Sequence, residues 1–207
     1  MICAKPDTKQ KLIDTAQELL WKKSYGSVSV DDICKAANVN KGSFYHFFPS
    51  KADLAIASME MTYQTSIEIY DKIFSSGKDP VTRFEDFADY IYERQSEIAV
   101  KYSQVCGCPA ASLSCEMAGQ EQGIREKFDE ITRRQELYFE STLNDMVAAE
   151  LIPKNTDTKS LAREVSTFIM GQLMLARIQN DIQTLKRDMK PGLLRILGLI
   201  SATQQKA

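Results

Sequence analysis

The sequence predicts an all-α fold of about nine helices, on three observations. Apolar residues recur at helical spacing along nearly the whole chain. Strand-like alternation is confined to Val28–Val30, too short to pair usefully. Glycine, proline and asparagine fall between the periodic stretches, where helices start and stop.

Leu12, Ile13, Ala16, Leu19 and Leu20 form one stripe of a first helix, capped by Asp7 or Thr8 and ending near Lys23, before Tyr25-Gly26. Ser29 opens a second helix over Val30–Ala37, and Asn40 opens a third over Lys41–Phe47. Pro49-Ser50 ends the third and starts a fourth that runs to about Phe74. Gly77 and Pro80 turn the chain into a fifth, Val81 to Val100. Residues 101–108 read as a loop, Pro109 suits the start of a sixth helix, and Gly119 ends it. A seventh spans Gly123–Ala149 and closes at Leu151-Ile152-Pro153. The last two span Thr158–Ile182 and Pro191–Ala202. Two functional parts are expected: residues 1–50, and residues 51–207.

With 207 residues, 43% of them hydrophobic, the chain can bury a substantial core. No apolar run approaches the ~20 residues of a membrane span. The N-terminal MICAKPDTKQ lacks the apolar segment of a secretory signal, so a cytoplasmic protein without a membrane partner is expected. Five cysteines in that compartment are expected to be reduced. The net charge of −2 is unevenly spread. Residues 1–51 carry Lys5, Lys9, Lys11, Lys22, Lys23, Lys35, Lys41 and Lys51 against Asp7, Asp14, Glu18, Asp31 and Asp32, so the head is basic and the rest acidic. Local charge, rather than the total, governs phosphate binding.

The stretch from Ser29 to Leu54 satisfies the constraints of a helix-turn-helix together. Ile33, Ala37, Val39, Phe44 and Phe47 fall where the helices must face one another. Cys34 sits where a small side chain is needed, and Asn38 where the turn requires a left-handed backbone. The third helix is about two turns long, which suits insertion into a major groove. Gly42 lets its backbone approach base edges, and Lys41 and Ser43 are candidates for base or nearby phosphate contact. Tyr45 and His46 can donate to phosphate oxygens. Lys51 is expected to clamp another phosphate from the first turn of the fourth helix, and Ser29 to offer a cap-site contact. His46 is the sole histidine, so no multi-histidine metal site or histidine relay exists; no metal and no cofactor are expected.

KGSFYHFFPSKADL, with these constraints, resembles the recognition helix and following helix of the TetR family of bacterial transcription regulators. The resemblance is specific over residues 8–55 and mostly architectural beyond. Cys34 and Asn38 stand where that family usually has alanine and glycine. It implies a three-helix DNA-binding head, a helical body that binds a small-molecule effector, and a homodimer paired through the last two helices. The residues agree with pairing: Leu161, Val165, Phe168, Ile169, Leu173, Ala176 and Ile182 are apolar on several faces, as are Leu193, Leu194, Ile196, Leu197, Leu199 and Ile200.

A second resemblance covers Val105–Phe128, where Gly107, Cys108, Leu113, Glu116 and Met117 match a branch of the family with a Gly-Cys pair opening the sixth helix. Some members of that branch respond to electrophiles or oxidants through cysteine; others bind small organic ligands. A thiol at a helix N-terminus gains thiolate character, so Cys108 is a candidate sensor with Cys106 or Cys115 resolving. The alternatives are packing and, more weakly, zinc. Tyr63, Phe87, Tyr90, Tyr102, Cys108, Met117, Phe139, Phe168 and Met174 are the residues expected around an effector cavity, with Glu116 the one nearby charge. A mostly apolar lining favours an apolar or aromatic effector. No catalytic signature accompanies Cys108, so no enzyme is expected. The expected function is a ligand-responsive repressor binding pseudo-palindromic operator DNA as a homodimer; the alternative is a cysteine-based redox or electrophile sensor.

Overall fold

A computed structural model describes residues 7–117 and 119–200, and the described residues form nine helices: α1 (Thr8–Lys22), α2 (Val30–Ala37), α3 (Lys41–Phe47), α4 (Lys51–Ile73), α5 (Pro80–Tyr102), α6 (Pro109–Met117), α7 (Gln122–Ala148), α8 (Thr158–Gln179) and α9 (Gln183–Ile196). The helix boundaries follow from short polar side chains. Asp79 accepts from the amides of Val81 and Thr82 with Pro80 in the first turn of α5, and Asp157 accepts from Ser160 at the start of α8. Asn38 and Asn180 adopt left-handed conformations at the ends of α2 and α8.

The chain divides into two compact units. The first comprises Met1–Ser66 with Pro109–Ile131; the second comprises Ile67–Cys108 with Thr132–Ala207. The unit holding the helix-turn-helix thus extends beyond residue 50, because the N-terminal part of α4, α6 and the start of α7 share a core with Tyr25: Ala52, Ala55, Met59, Leu113, Met117 and Ile124. A separate core holds α1–α3 together through Leu12, Ile13, Ala16, Ile33, Ala37 and Phe44. In the second unit, Phe74, Phe84, Phe87 and Phe139 pack edge-on or tilted with centroids 5.2–6.3 Å apart, and α8 and α9 cover them with Val165, Ile169, Leu185, Met189 and Leu193.

One expected boundary is corrected. The penultimate helix does not reach Ile182, and the last does not begin at Pro191. Asn180 (φ 49°) ends α8, and α9 starts at Gln183, leaving Pro191 inside it. Gly192 follows, packed against the Phe168 ring so closely that a Cβ there would overlap it. Nor does the last helix continue to Ala202: α9 ends at Ile196 with Leu197 as its cap, residues 197–200 form turns and bends, and residues 201 and 202 lie outside the described residues.

Candidate nucleic-acid interface

The geometry of α3 is set by its neighbours. Ser29 and Asp32 form a reciprocal capping box at the start of α2: the Asp32 amide donates to the Ser29 hydroxyl (3.1 Å), and the Ser29 amide and hydroxyl donate to the Asp32 carboxylate (2.9 and 2.6 Å). Those bonds hold the Asp32 carboxyl below the usual aspartate range. Asn38 then turns the chain with φ 51° and ψ 51°. Asn40 caps α3 by accepting from the Ser43 amide at 2.8 Å. Phe44 is fully buried beneath α3, and Phe48 nearly so. Truncating a buried phenylalanine to alanine costs about 3–5 kcal/mol, so this anchor fixes which side of the short helix faces outward.

That outward side carries Lys41, Gly42, Tyr45 and His46, all exposed, with Ser43 half-buried. Tyr45 is 53% exposed despite its size, its ring edge-on to Phe44 at 5.1 Å. The Lys41 ammonium lies 2.7 Å from the Asp31 carboxylate, which raises its pKa; both side chains are well exposed, so the pair is weak. Ser29 is exposed, with its hydroxyl engaged in the cap. Of the seven expected contact residues, five are therefore exposed and Ser43 is half-buried.

Lys51, expected to clamp a phosphate, is half-buried and turned toward the protein's own backbone. Its ammonium donates to the carbonyls of Tyr25 (3.0 Å) and Val28 (2.9 Å) and sits 3.8 Å above the Tyr25 ring. Burial lowers its pKa, against the opposing pull of Glu116 and Glu121. Burial, reinforced by Glu121, Glu116 and Asp53, pushes the Tyr25 phenol up to about 12. Lys51 thus ties down the loop between α1 and α2.

Glu116, expected beside an effector cavity, is engaged at the loop between α1 and α2, where its carboxylate accepts from the backbone amides of Tyr25 (2.8 Å) and Gly26 (2.7 Å). Met117 beside it is buried in the core around Tyr25, and Tyr63 is buried on α4 in the same unit. The other expected effector residues belong to the second unit. Phe87 and Phe139 are interior members of the aromatic core, and Tyr90 stacks on Phe87 at 6.2 Å. Phe168 packs on Gly192, Tyr102 lies under the Lys101 ammonium, and Met174 and Cys108 are half-buried. Cys106 is buried; its thiol donates to the Gln104 carbonyl at 3.7 Å, and burial raises its pKa. Cys115 is exposed. Among the described residues, no group of three or more histidine, cysteine or acidic side chains is placed to hold a metal ion.

The family model for bacterial regulatory proteins of the TetR family matches residues 12–57, and the model for the tetracyclin repressor-like C-terminal domain matches residues 82–190. The chain belongs to the TetR family. The TetR-type head, with its exposed α3, makes it a DNA-binding transcription regulator. An uncharacterized HTH-type transcriptional regulator of Lactococcus lactis is 23% identical over 185 residues, covering 87% of this chain and 88% of that protein. The HTH-type transcriptional repressor NemR of Escherichia coli is 25% identical over 127 residues, 61% of this chain and 62% of NemR. The crystal structure of a regulatory protein TetR from Rhodobacter sphaeroides superposes with a TM-score of 0.76 at 26% identity, covering 92% of this chain and 97% of that one. Among the described residues, no helix of this TetR-family member is long and apolar enough to cross a membrane.

Proposed function

We propose that this protein is a cytoplasmic homodimeric repressor that reads a pseudo-palindromic operator through α3 and is released by a small apolar or aromatic effector. The observation that carries this reading is the exposed surface of α3, where Lys41, Gly42, Tyr45 and His46 face solvent while Phe44 anchors the opposite side. In this reading residues 1–50 bind DNA, and residues 51–207 bind the effector and dimerise. Dimerisation is supported by α8, which leaves Gly171, Leu175 and Ile178 on one exposed line, Ile178 at 73%. Two α3 helices related by a two-fold axis then meet successive major grooves roughly 34–36 Å apart. The half-buried Tyr90, Phe168 and Met174 support an apolar effector.

The test is a salt titration of binding to a duplex selected from a random-sequence pool. Affinity is expected to fall steeply with salt, and Tyr45→Ala to weaken binding about tenfold. A flat salt dependence, or Tyr45→Ala binding like wild type, refutes the operator surface. A thiol-sensing alternative is favoured by one observation: Cys115 is exposed and adjoins Glu116. Cys106 contributes least to it, because burial keeps that thiol protonated.

A further inference from the structure

The loop between α1 and α2 is gripped from two directions. Lys51, at the start of α4, takes the carbonyls of Tyr25 and Val28; Glu116, in the last turn of α6, takes the amides of Tyr25 and Gly26. Tyr25 is therefore held by a cation at its carbonyl and an anion at its amide. Ser29, which caps α2, comes directly after Val28, so the position of this loop sets where α2 begins. The α2–α3 turn and the core around Phe44 then pass that placement to the recognition helix. Glu116 is the one member of the grip that comes from a distant part of the sequence, 90 and 91 residues from its partners.

We infer that Glu116 is a positioning residue for operator binding: through its carboxylate, α6 holds the loop that aims α2 and α3. Both bonds are short and charge-assisted, and a displacement of α6 by about 1 Å takes them out of hydrogen-bonding range. Operator affinity thereby depends on where α6 sits, although no atom of α6 need touch DNA. Gly26 belongs to the device. A Cβ there would lie 2.9 Å from the nearer Glu116 carboxylate oxygen, so alanine at this position obliges the carboxylate to shift. The inference rests on operator binding through α3, and its test separates the two.

The full-length protein is titrated by fluorescence anisotropy with the selected duplex and with an unrelated duplex, and hydrogen exchange is followed at the Tyr25 and Gly26 amides. Glu116→Ala removes both acceptors. Gly26→Ala pushes the carboxylate away without changing charge. Each is expected to speed exchange at both amides and to weaken the selected duplex about tenfold, leaving the unrelated duplex within about twofold. Glu116→Gln, which keeps one acceptor oxygen, is expected to fall between them and wild type. Thermal melts of all three identify any variant that fails to fold, and Gly26→Ala keeps the test open in that case. Unchanged exchange, faster exchange without loss of affinity, or equal loss on both duplexes overturns the inference. Tyr45→Ala, run in parallel, is expected to weaken the selected duplex. If it does so while the Glu116 and Gly26 variants bind like wild type, the positioning role fails and the operator surface stands.

Discussion

Replacing Gly107 by alanine is expected to destabilise the second unit more than any other glycine-to-alanine change outside the α8–α9 contact. Gly107 has φ 62°, a conformation that costs an L-residue about 1–2 kcal/mol. An added Cβ would also lie 2.9 Å from the Leu173 carbonyl oxygen and 3.2 Å from the Arg177 Cβ. The first of these is backbone within α8 and cannot rotate aside, so the 105–107 segment must retreat. That segment is stitched in place: the Val105 amide donates to Asn180 (2.9 Å), Arg177 donates to the Cys106 carbonyl (3.0 Å), and the buried Gln95 amide donates to the Gly107 carbonyl (3.1 Å). Straining one or two of these bonds costs about 1–2 kcal/mol more. The total, about 2–4 kcal/mol, lowers Tm by roughly 5–15 °C for a chain of this size. The assay is thermal unfolding by circular dichroism at fixed protein concentration, with Gly77→Ala as control. Gly77 lies in the turn before α5, where an added Cβ would meet only the Ser75 hydroxyl at 3.8 Å, so alanine there is expected to leave Tm within about 2 °C of wild type. A Gly107→Ala variant melting within about 2 °C of wild type refutes the argument.

Two further outcomes are expected. Among the four described cysteines, a maleimide under native conditions should label Cys115 first and Cys34 and Cys106 last, since Cys115 is exposed while burial raises the pKa of the other two; peptide mass spectrometry reads the order, and early labelling of Cys106 would contradict its packing. The capping box should respond to acid. Asp32 has a folded-state pKa below its ordinary 3.8, so its contribution is complete above that pH and disappears as pH falls through the lower folded value. Ser29→Ala should move the Asp32 titration, followed by carboxyl NMR, back toward 3.8, and an unmoved titration would remove the box.

The helix-turn-helix was legible because its constraints are local. Asn38 in a left-handed turn, Asn40 and Ser29 as caps, and Phe44 as anchor are all decided within a few residues of sequence. The internal partners of Lys51 were not legible, for the opposite reason. A lysine in the first turn of a helix looks free to meet phosphate, but its acceptors lie 23 and 26 residues earlier in the loop after α1. Glu116 carries no local signal at all, because periodicity records which residues share a face and not what an exposed carboxylate reaches across the fold. The aromatic residues expected around an effector show a related limit: at helical spacing, a core residue such as Phe139 and a cavity wall read alike. Pro191 misled because proline usually opens helices; the Asn180-Asp181 turn was the better marker of where α9 begins.

Gly192 has a mechanical consequence. With the Phe168 ring seated in the notch it leaves, α8 and α9 are keyed in one register, and a slide of one along the other would drive the ring into backbone. Axial slippage is therefore closed to this pair, which can tilt or rotate only as a single stiff body. A dimer built on these two helices would accordingly transmit motion as rotation of a rigid couple.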